Sequence, residues 1–321
     1  LIEEVLERLP VGEVPAASTT DFDDLCWEVY PKVTARYEAD PDFSQRRAQV
    51  LHAIEEWPAQ VDLEQATYLL RGAVLAGEDF PVHAVARLAA EVAAGTVGCH
   101  LATMARLAVT YDVMPHESDI LHLGFWQRAF ELLRDAGAIR LETEGKNEGC
   151  WVMSLASSPE FAKMDDPDKI LVRSNGTVTY TGKDIAYQLW KLGLLTEPDG
   201  SLHDFGYAGF AHWLHPGPAQ PVEYGDSGTV LYRTVSDTAM RPGSSSFGSG
   251  QPVYNVIDVR QAYPQKVVKE AVRILGHPEA ADNSIHFAYE MVALTPDAVR
   301  VMEEESGTSF GLSDEDMDKP Y

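Results

Sequence analysis

Residues 175–191 read NGTVTYTGKDIAYQLWK, and this stretch decides the fold because a strand-like lead-in runs directly into a helical pattern. Tyr180 and Asp184 stand four residues apart at the start of that pattern, so their side chains share one face of the predicted helix. A helix that begins where a strand ends is a frequent place for ligand contacts in α/β folds. The stretch therefore predicts an aromatic hydroxyl and a carboxylate that are presented together to a ligand.

The chain before this stretch reads as mainly helical. Apolar residues recur there at helical spacing, and Gly137 is a stop signal for the last helix. We predict helices over residues 22–37, 44–56, 62–75, 82–107 and 118–137. The aromatic residues of these helices, among them Trp27, Tyr30, Phe125 and Trp126, are interpreted as core rather than as base-stacking platforms.

Strands and helices alternate in the rest of the chain, which predicts an α/β fold with a parallel sheet and crossover helices. The predicted strands cover residues 138–141, 150–155, 170–173, 253–259 and 285–294, and the run at 253–259 (VYNVIDV) is of the buried type. The predicted helices cover residues 181–192, 265–275 and a segment up to 304 that Thr295 and Pro296 cap. The turn-rich excursion 198–250 ends in GSSSFGSG, a predicted flexible loop.

Polar side chains follow three strand-like runs of the sequence. Glu117 comes after LAVTYDV, Tyr180 and Asp184 come after TVT, and Gln261 comes after VYNVIDV. Ligands in parallel sheets bind at the carboxyl ends of strands, so these residues form a candidate site. Read one at a time, each has a plainer interpretation, because acidic residues favour helix starts and Gln261 alone would be a surface amide.

The composition limits the classes of function. The chain has 321 residues and a net charge of −25, from 50 acidic and 25 basic residues. A uniformly basic surface for nucleic acid is therefore not expected, although a local basic face stays open. Adaptation to solubility or salt is the alternative reason for the acidity.

Compartment and metal signals are weak. Cys26, Cys99 and Cys150 form no CxxC pair, which favours a reducing, cytoplasmic location. His212 and His215, with His203 and Asp204 nearby, imitate metal spacing, but they lie in a Gly/Pro-rich loop, so no metal is predicted. No apolar run is long enough to span a membrane.

Because the chain starts at Leu1 and stops in a charged stretch, we expect a piece of a longer protein.

Four segments resemble, in the same order, the catalytic domain of arginyl-tRNA synthetases, which are class I aminoacyl-tRNA synthetases. The segments are HLATMARLAVTYDVMPHES, GKNEGCWVM, LVRSNGTVTYTGKDIAYQLWKLG and VYNVIDVRQAYPQKVVKEAVRILG. The resemblance covers roughly residues 20–305 and is firmest over 98–193 and 252–294. Four collinear segments are much more specific than any one of them.

The resemblance implies a partial class I Rossmann-like parallel sheet with a helix-rich N-terminal part and an inserted small α/β segment. Residues 1–118 would be a helix-rich region that ends in a strand of the first half of the sheet, and residues 119–170 a connective insertion. Residues 171–295 would be the second half of the catalytic domain with the excursion 198–250, and residues 296–321 a helical lead-in to a signature loop.

The resemblance also implies roles for single residues. Glu117, Tyr180, Asp184 and Gln261 fall at the arginine-binding positions of the family. His286 and Tyr289 fall where the family's sheet approaches ATP, although partly buried sheet positions are their plainer interpretation. A guanidinium is planar, always charged and rich in donors, so the carboxylates of Glu117 and Asp184 suit it.

The implied activity is that of an arginine–tRNA ligase. Such an enzyme uses ATP, with Mg²⁺ expected, to activate L-arginine and transfers the arginyl group to tRNA(Arg) in translation. Neither a membrane nor DNA is an expected partner. Two alternatives stay open: another class I synthetase, and a catalytically inactive paralogue that binds arginine, tRNA or a partner protein.

The pattern departs from the family at both ATP signatures. The His-Ile-Gly-His type motif belongs upstream of Leu1, and the Lys-Met-Ser-Lys-Ser type loop belongs downstream of Tyr321. The run from His122 to Phe125 has no second histidine, and the run from Lys163 to Asp166 stands in the wrong order along the chain. No residue of this chain is therefore assigned a certain catalytic role.

We predict that the chain alone gives no arginine-dependent exchange of pyrophosphate into ATP, because both motifs that handle ATP are missing from it. Radiolabelled pyrophosphate reports this exchange, and an arginyl-tRNA synthetase with both motifs is the positive control. Exchange above background by the 321-residue chain would refute the prediction.

Overall fold

A computed structural model describes residues 20–56, 62–156, 158, 161, 167–209, 231–236, 238, 247–290, 294–307 and 309. The chain divides into two compact units. The first comprises Leu1–Arg128 and Thr196–Phe247, and the second comprises Ala129–Leu195 and Gly248–Tyr321. Residues 163–166, His212, His215 and residues 243–246, which carried sequence interpretations, lie outside the described residues.

From residue 20, where the described part of the first unit starts, four helices follow one another, and all four were predicted to within a few residues. They are α1 (Thr20–Ala39), α2 (Pro41–Glu56), α3 (Leu63–Ala76) and α4 (Val82–Arg106). Asp62 caps α3, since its carboxylate accepts a hydrogen bond of 2.8 Å from the backbone N–H of Gln65. Buried side chains of α3 and α4 form a core that consists of Ala66, Leu70, Ala84, Val85 and Leu88.

The aromatic prediction was half right. Phe125 and Trp126 are buried, whereas Trp27 and Tyr30 are exposed. Leu25 and Val29 supply the buried face of α1, so the two exposed aromatic residues lie on its other side.

Among its described residues, the excursion 198–250 contains two strands that the sequence did not reveal. They are β5 (Gly206–Gly209) and β6 (Tyr232–Val235), and they form a sheet with β1 (Val113–Met114). In that sheet β6 is central: it runs parallel to β1 and antiparallel to β5. Strands this short, one of them Gly-rich, carry almost no periodic signal.

The strand expected over LAVTYDV begins later than predicted. The backbone N–H groups of Leu107 and Val109 both donate to the carbonyl of Met104, and Ala108 has a left-handed φ of 55°. This helix-ending turn uses the residues that looked like a strand, so β1 begins only at Val113.

The helix predicted over residues 118–137 is two helices, α5 (Glu117–His122) and α6 (Phe125–Asp135). Gly124 breaks it with a φ of +74°. Nε2 of His203 lies 2.7 Å from the carbonyl oxygen of Leu123, so this carbonyl has a partner outside the helix. A distant histidine thus fixes a break that local periodicity does not show.

The second unit contains an antiparallel sheet in the order β2–β3–β4. Its strands are β2 (Ile139–Leu141), β3 (Trp151–Ser154) and β4 (Asp168–Val172). The three strands were predicted, but their pairing corrects the expectation that the strand at 170–173 belongs to a parallel sheet. Met153, Leu155 and Leu171 are fully buried there.

Two parallel strands with a crossover confirm the α/β part of the prediction. β7 (Val253–Asp258) pairs with β8 (Ser284–Tyr289), and the crossover consists of a 3₁₀ turn (Val259–Gln261), α8 (Ala262–Ile274) and α9 (Pro278–Asp282). The prediction that β7 is buried on both faces was wrong. Asn255 is 5 % exposed, but Tyr254 is 58 % and Val256 is 62 % exposed, because alternate side chains point to opposite faces.

The remaining helices of this unit were also predicted. α7 (Tyr180–Lys191) is capped by Thr179, whose hydroxyl accepts from the backbone of Gly182. α10 (Pro296–Ser306) is capped by Thr295, as expected. Among the residues described, no helix has the length and apolar character needed to cross a membrane.

The end of the GSSSFGSG tract is held against α7. The backbone N–H of Gly250 donates to the carbonyl of Lys191 at 2.7 Å, and Ser249 approaches the carbonyl of Trp190. Gly248 has a φ of +84°, and a Cβ there would lie 3.0 Å from the carbonyl oxygen of Trp190 and 3.1 Å from its ring. The flexible-loop prediction therefore does not hold for residues 248–250.

We predict that Gly248→Ala lowers the free energy of unfolding more than Gly276→Ala does. Both positions have a left-handed φ, which costs an alanine about 1–2 kcal/mol, but nothing lies within 4 Å of a Cβ at Gly276. The contact with Trp190 should add a further ~1–3 kcal/mol at Gly248. Urea unfolding measures both, and equal losses would contradict the close approach.

Candidate functional site

Tyr180 and Asp184 open α7 on its accessible side. Tyr180 is 79 % exposed and Asp184 is exposed, whereas the neighbouring Lys183 and Ile185 are buried. The hydroxyl of Thr179 also donates to the carbonyl of Ile170 at 3.1 Å, which ties the start of α7 to β4. The structure thus presents both predicted side chains from a helix start that a strand holds in place.

Gln261 lies at the end of the 3₁₀ turn, directly after β7, and it is exposed. Asp258 shapes this turn, because its carboxylate accepts from the backbone N–H and from the guanidinium of Arg260, each at 2.8 Å. Those hydrogen bonds from Arg260 lower the pKa of Asp258. The amide of Gln261 is therefore placed at the carboxyl end of a parallel strand, where the sequence predicted it.

A buried polar network links β7 to α7 within the second unit. The side-chain amide of Asn255 donates to Oε1 of Gln188 at 3.1 Å and accepts from Nζ of Lys191 at 3.0 Å. Lys191 also lies over the ring of Tyr187, with its Nζ 4.3 Å from the ring centroid. The network connects the helix that carries Tyr180 and Asp184 to the strand that leads to Gln261.

The network shifts two pKa values. Burial lowers the pKa of Lys191, and the negative charge of Asp184 acts in the opposite direction. Burial raises the pKa of Tyr187 to about 12. Both shifts have the cause expected for ionisable groups that are removed from water.

Glu117 belongs to the first unit, where it is the first residue of α5 and is exposed. Two residues later, Asp119 is buried. Burial alone would raise the pKa of Asp119, but hydrogen bonds with His116, Thr234 and Ser236 and the charge of His116 hold it below its usual value. An exposed and a buried carboxylate thus open the same short helix.

His286 and Tyr289 lie on β8, and neither is fully buried. Nε2 of His286 is 2.9 Å from the carbonyl oxygen of Ile257, so this ring nitrogen takes part in the contact between β7 and β8. Tyr289 is paired in register with Asp258 and is about half exposed.

His203 has partners other than a metal. Its Nδ1 lies 2.5 Å from Oε1 of Glu197, and its Nε2 faces the carbonyl of Leu123. The two ring nitrogens of His203 thus face the carboxylate of Glu197 and the backbone carbonyl of Leu123. Within the described ranges, no group of three or more His, Cys, Asp or Glu side chains has an arrangement that could hold a metal ion.

The sequence analysis did not predict the hydrogen bonds that join Asn255 to Gln188 and Lys191, or the one that joins Asp119 to Thr234. A signal existed for Asn255, since a lone amide inside the apolar run VYNVIDV needs a buried partner. No local signal marked Thr234, because its partners are more than a hundred residues away in the chain.

The chain is similar to known proteins in sequence and in structure. It is 30 % identical to an arginine–tRNA ligase of Thermococcus kodakarensis over 292 residues, which are 91 % of this chain and 38 % of the relative. It is 36 % identical to an arginine–tRNA ligase of Pyrococcus furiosus over 206 residues, 64 % of this chain and 28 % of the relative. The arginyl-tRNA synthetase of Thermus thermophilus matches its structure with a TM-score of 0.52 and 27 % identity, over 84 % of this chain and 46 % of that one. No family model matches.

The mixed α/β fold, with polar side chains after its strands, is part of an aminoacyl-tRNA synthetase fold. The family is that of the arginyl-tRNA synthetases, and the chain corresponds to a part of such a protein. It spans less than half of the length of each of these relatives. The resemblance read from the sequence is confirmed.

We predict that Tyr187 stays neutral in the folded chain until the pH approaches 12. An unfolded tyrosine ionises near pH 10, so the stabilisation by neutral Tyr187 is complete below about pH 10 and is lost as the pH rises through about 12. The difference in phenolate absorbance between the parent and Tyr187→Phe measures this titration. Tyr254→Phe provides an exposed tyrosine for comparison, and ionisation of Tyr187 near its ordinary pKa would contradict the buried network.

Proposed function

We propose that the chain is part of an arginine–tRNA ligase and that Glu117, Tyr180, Asp184 and Gln261 bind its amino-acid substrate. The observation that carries the proposal is the start of α7. There, Tyr180 and Asp184 are both accessible, one helical turn apart, on a helix that hydrogen bonds tie to β4 and β7. Family membership supplies the substrate class.

The chemistry of these side chains fits L-arginine. The guanidinium is a planar cation with five N–H donors, and carboxylates bind it through charge-assisted hydrogen bonds that can be bidentate. Glu117 and Asp184 are assigned to the guanidinium, and the ring and hydroxyl of Tyr180 stand one helical turn before Asp184. The amide of Gln261 can donate and accept, which suits the α-carboxylate or α-amino group.

Such a site discriminates against an amino acid without the guanidinium donors, because that amino acid leaves the carboxylates of the site without hydrogen-bond partners. When a substrate lacks the donors, the carboxylates lose their partners but have still lost water, so rejection by a factor on the order of 10⁴ is within reach. Two carboxylates also favour a cationic amino acid over a neutral one.

The reaction proceeds in two steps for the whole protein. An oxygen of the arginine carboxylate attacks the α-phosphorus of ATP, and pyrophosphate leaves. A ribose hydroxyl at the 3′ end of tRNA(Arg) then attacks the arginyl carbonyl carbon, and AMP leaves. Positioning and stabilisation of phosphate charge supply the catalysis, so no Ser or Cys nucleophile is required.

Further assignments belong to the same proposal. His286 and Tyr289 are proposed to lie near ATP, which is expected to bring Mg²⁺ with it. Residues 119–170 are proposed to be a connective insertion between residues 1–118 and 171–295, and residues 296–321 a lead-in to a signature loop. The protein is proposed to act in the cytoplasm.

We predict that Asp184→Asn and Glu117→Gln each weaken the binding of L-arginine by about tenfold or more, because each removes a charge-assisted hydrogen bond but keeps the side-chain shape. Isothermal titration of the 321-residue chain measures the affinity. Asp297→Asn is the matched control, since Asp297 is an exposed acid in the first turn of α10. Unchanged affinity in both variants, or no binding by the parent, would overturn the pocket assignment.

A further inference from the structure

β6 brings one fully buried hydroxyl to the start of α5. Thr234 is 0 % exposed. Its Oγ1 accepts a hydrogen bond of 2.8 Å from the backbone N–H of His116 and donates one of 2.7 Å to Oδ2 of Asp119. One side chain of the excursion 198–250 therefore holds the residue before Glu117 and the residue two positions after it.

Other contacts support the same anchor. Nδ1 of His116 lies 3.3 Å from the carbonyl oxygen of Thr234 and 3.5 Å from Oδ2 of Asp119, so it faces two acceptors. The hydroxyl of Ser236 donates to Oδ1 of Asp119 at 3.3 Å. Both carboxylate oxygens of Asp119 are thereby bonded to β6 or to the residue that directly follows it.

The anchor continues the pairing of two strands. β1 and β6 are parallel, with Val113 opposite Tyr232 and Met114 opposite Arg233. The strand pairing ends after Met114, and the hydroxyl of Thr234 accepts the hydrogen bond from the backbone N–H of His116. This side-chain bond turns the chain out of the sheet and into α5, and Glu117 is the residue at that turn.

We infer that Thr234 and Asp119 are positioning residues that hold Glu117 in the orientation in which it binds arginine. The inference rests on the proposed role of Glu117. It assigns a role to the excursion 198–250, which sequence analysis left without one: its strand β6 completes the support of the amino-acid site. Precise binding of a guanidinium needs such support, because hydrogen bonds to it weaken steeply when distance and angle are wrong.

Thr234→Val is the sharpest test, because it keeps the shape of the side chain and removes the hydroxyl. It leaves the backbone N–H of His116 without this acceptor and Asp119 without this donor. L-arginine should then bind the 321-residue chain about tenfold more weakly. Thr234→Ser retains the hydroxyl and should restore the affinity of the parent.

A loss of stability alone must be told apart from a loss of positioning. L-citrulline has the shape of arginine with a neutral urea in place of the guanidinium, so it gains little from a correctly placed carboxylate. Loss of positioning lowers the preference for L-arginine over L-citrulline about tenfold, whereas general loosening weakens both ligands equally. Thr96→Val is the matched control, since the hydroxyl of Thr96 is half-buried in the same unit. It donates to the carbonyl of Val92 in its own helix and also contacts the thiol of Cys26 on α1.

Isothermal titration with both ligands decides between the outcomes. Reduced preference in Thr234→Val, with normal preference in Thr234→Ser and Thr96→Val, is the expected result. If Glu117→Gln loses arginine affinity but Thr234→Val keeps the preference of the parent, the positioning role is wrong while the pocket assignment stands. If Glu117→Gln itself binds arginine as the parent does, the proposed function fails first and the inference falls with it.

Discussion

The buried amide of Asn255 is the contact on which the second unit's candidate site depends. It donates to Gln188 and accepts from Lys191, so one side chain of β7 engages two consecutive turns of α7. An amide can serve both partners at once, and an apolar residue of similar size would leave a buried ammonium without its acceptor. Since α7 begins with Tyr180 and Asp184 and β7 leads to Gln261, this link sets the relation between the helix start and the strand end.

In the first unit, buried hydrogen-bonded groups likewise hold the chain on both sides of Glu117. The exposed carboxylate of Glu117 stands between His116 and Asp119, whose long-range hydrogen-bond partners are the hydroxyl and carbonyl of Thr234 and the hydroxyl of Ser236. In both units the residues proposed to meet the ligand are accessible, while the residues that hold them are buried and bonded to a neighbouring strand. Ligand contacts made in this way are kept in place by groups that never touch the ligand.

Much of the fold was predictable, because the sequence signals of a helix lie within the helix and at its ends. The cap at Thr295 predicted its helix, and the periodic apolar residues predicted the helices of the N-terminal part to within a few residues. Two of the errors have long-range causes. His203 fixes the break at Gly124 from 80 positions away, and β5 and β6 become strands only by pairing with each other and with β1. The helical spacing of Tyr180 and Asp184 was readable from the sequence. Glu117 and Gln261 were linked to them by their positions after strand-like runs and by family resemblance, whereas Thr234 could be found only in three dimensions.

The central claim is that these four residues meet L-arginine, and mapping of backbone amide resonances tests it most directly. Isotope-labelled chain titrated with L-arginine should show shifts at Glu117, Tyr180, Asp184 and Gln261 that saturate with one dissociation constant. L-citrulline should shift Glu117 and Asp184 far less, because it offers no charge to their carboxylates. Shifts confined to other parts of the chain, or equal responses to both ligands, would contradict the account.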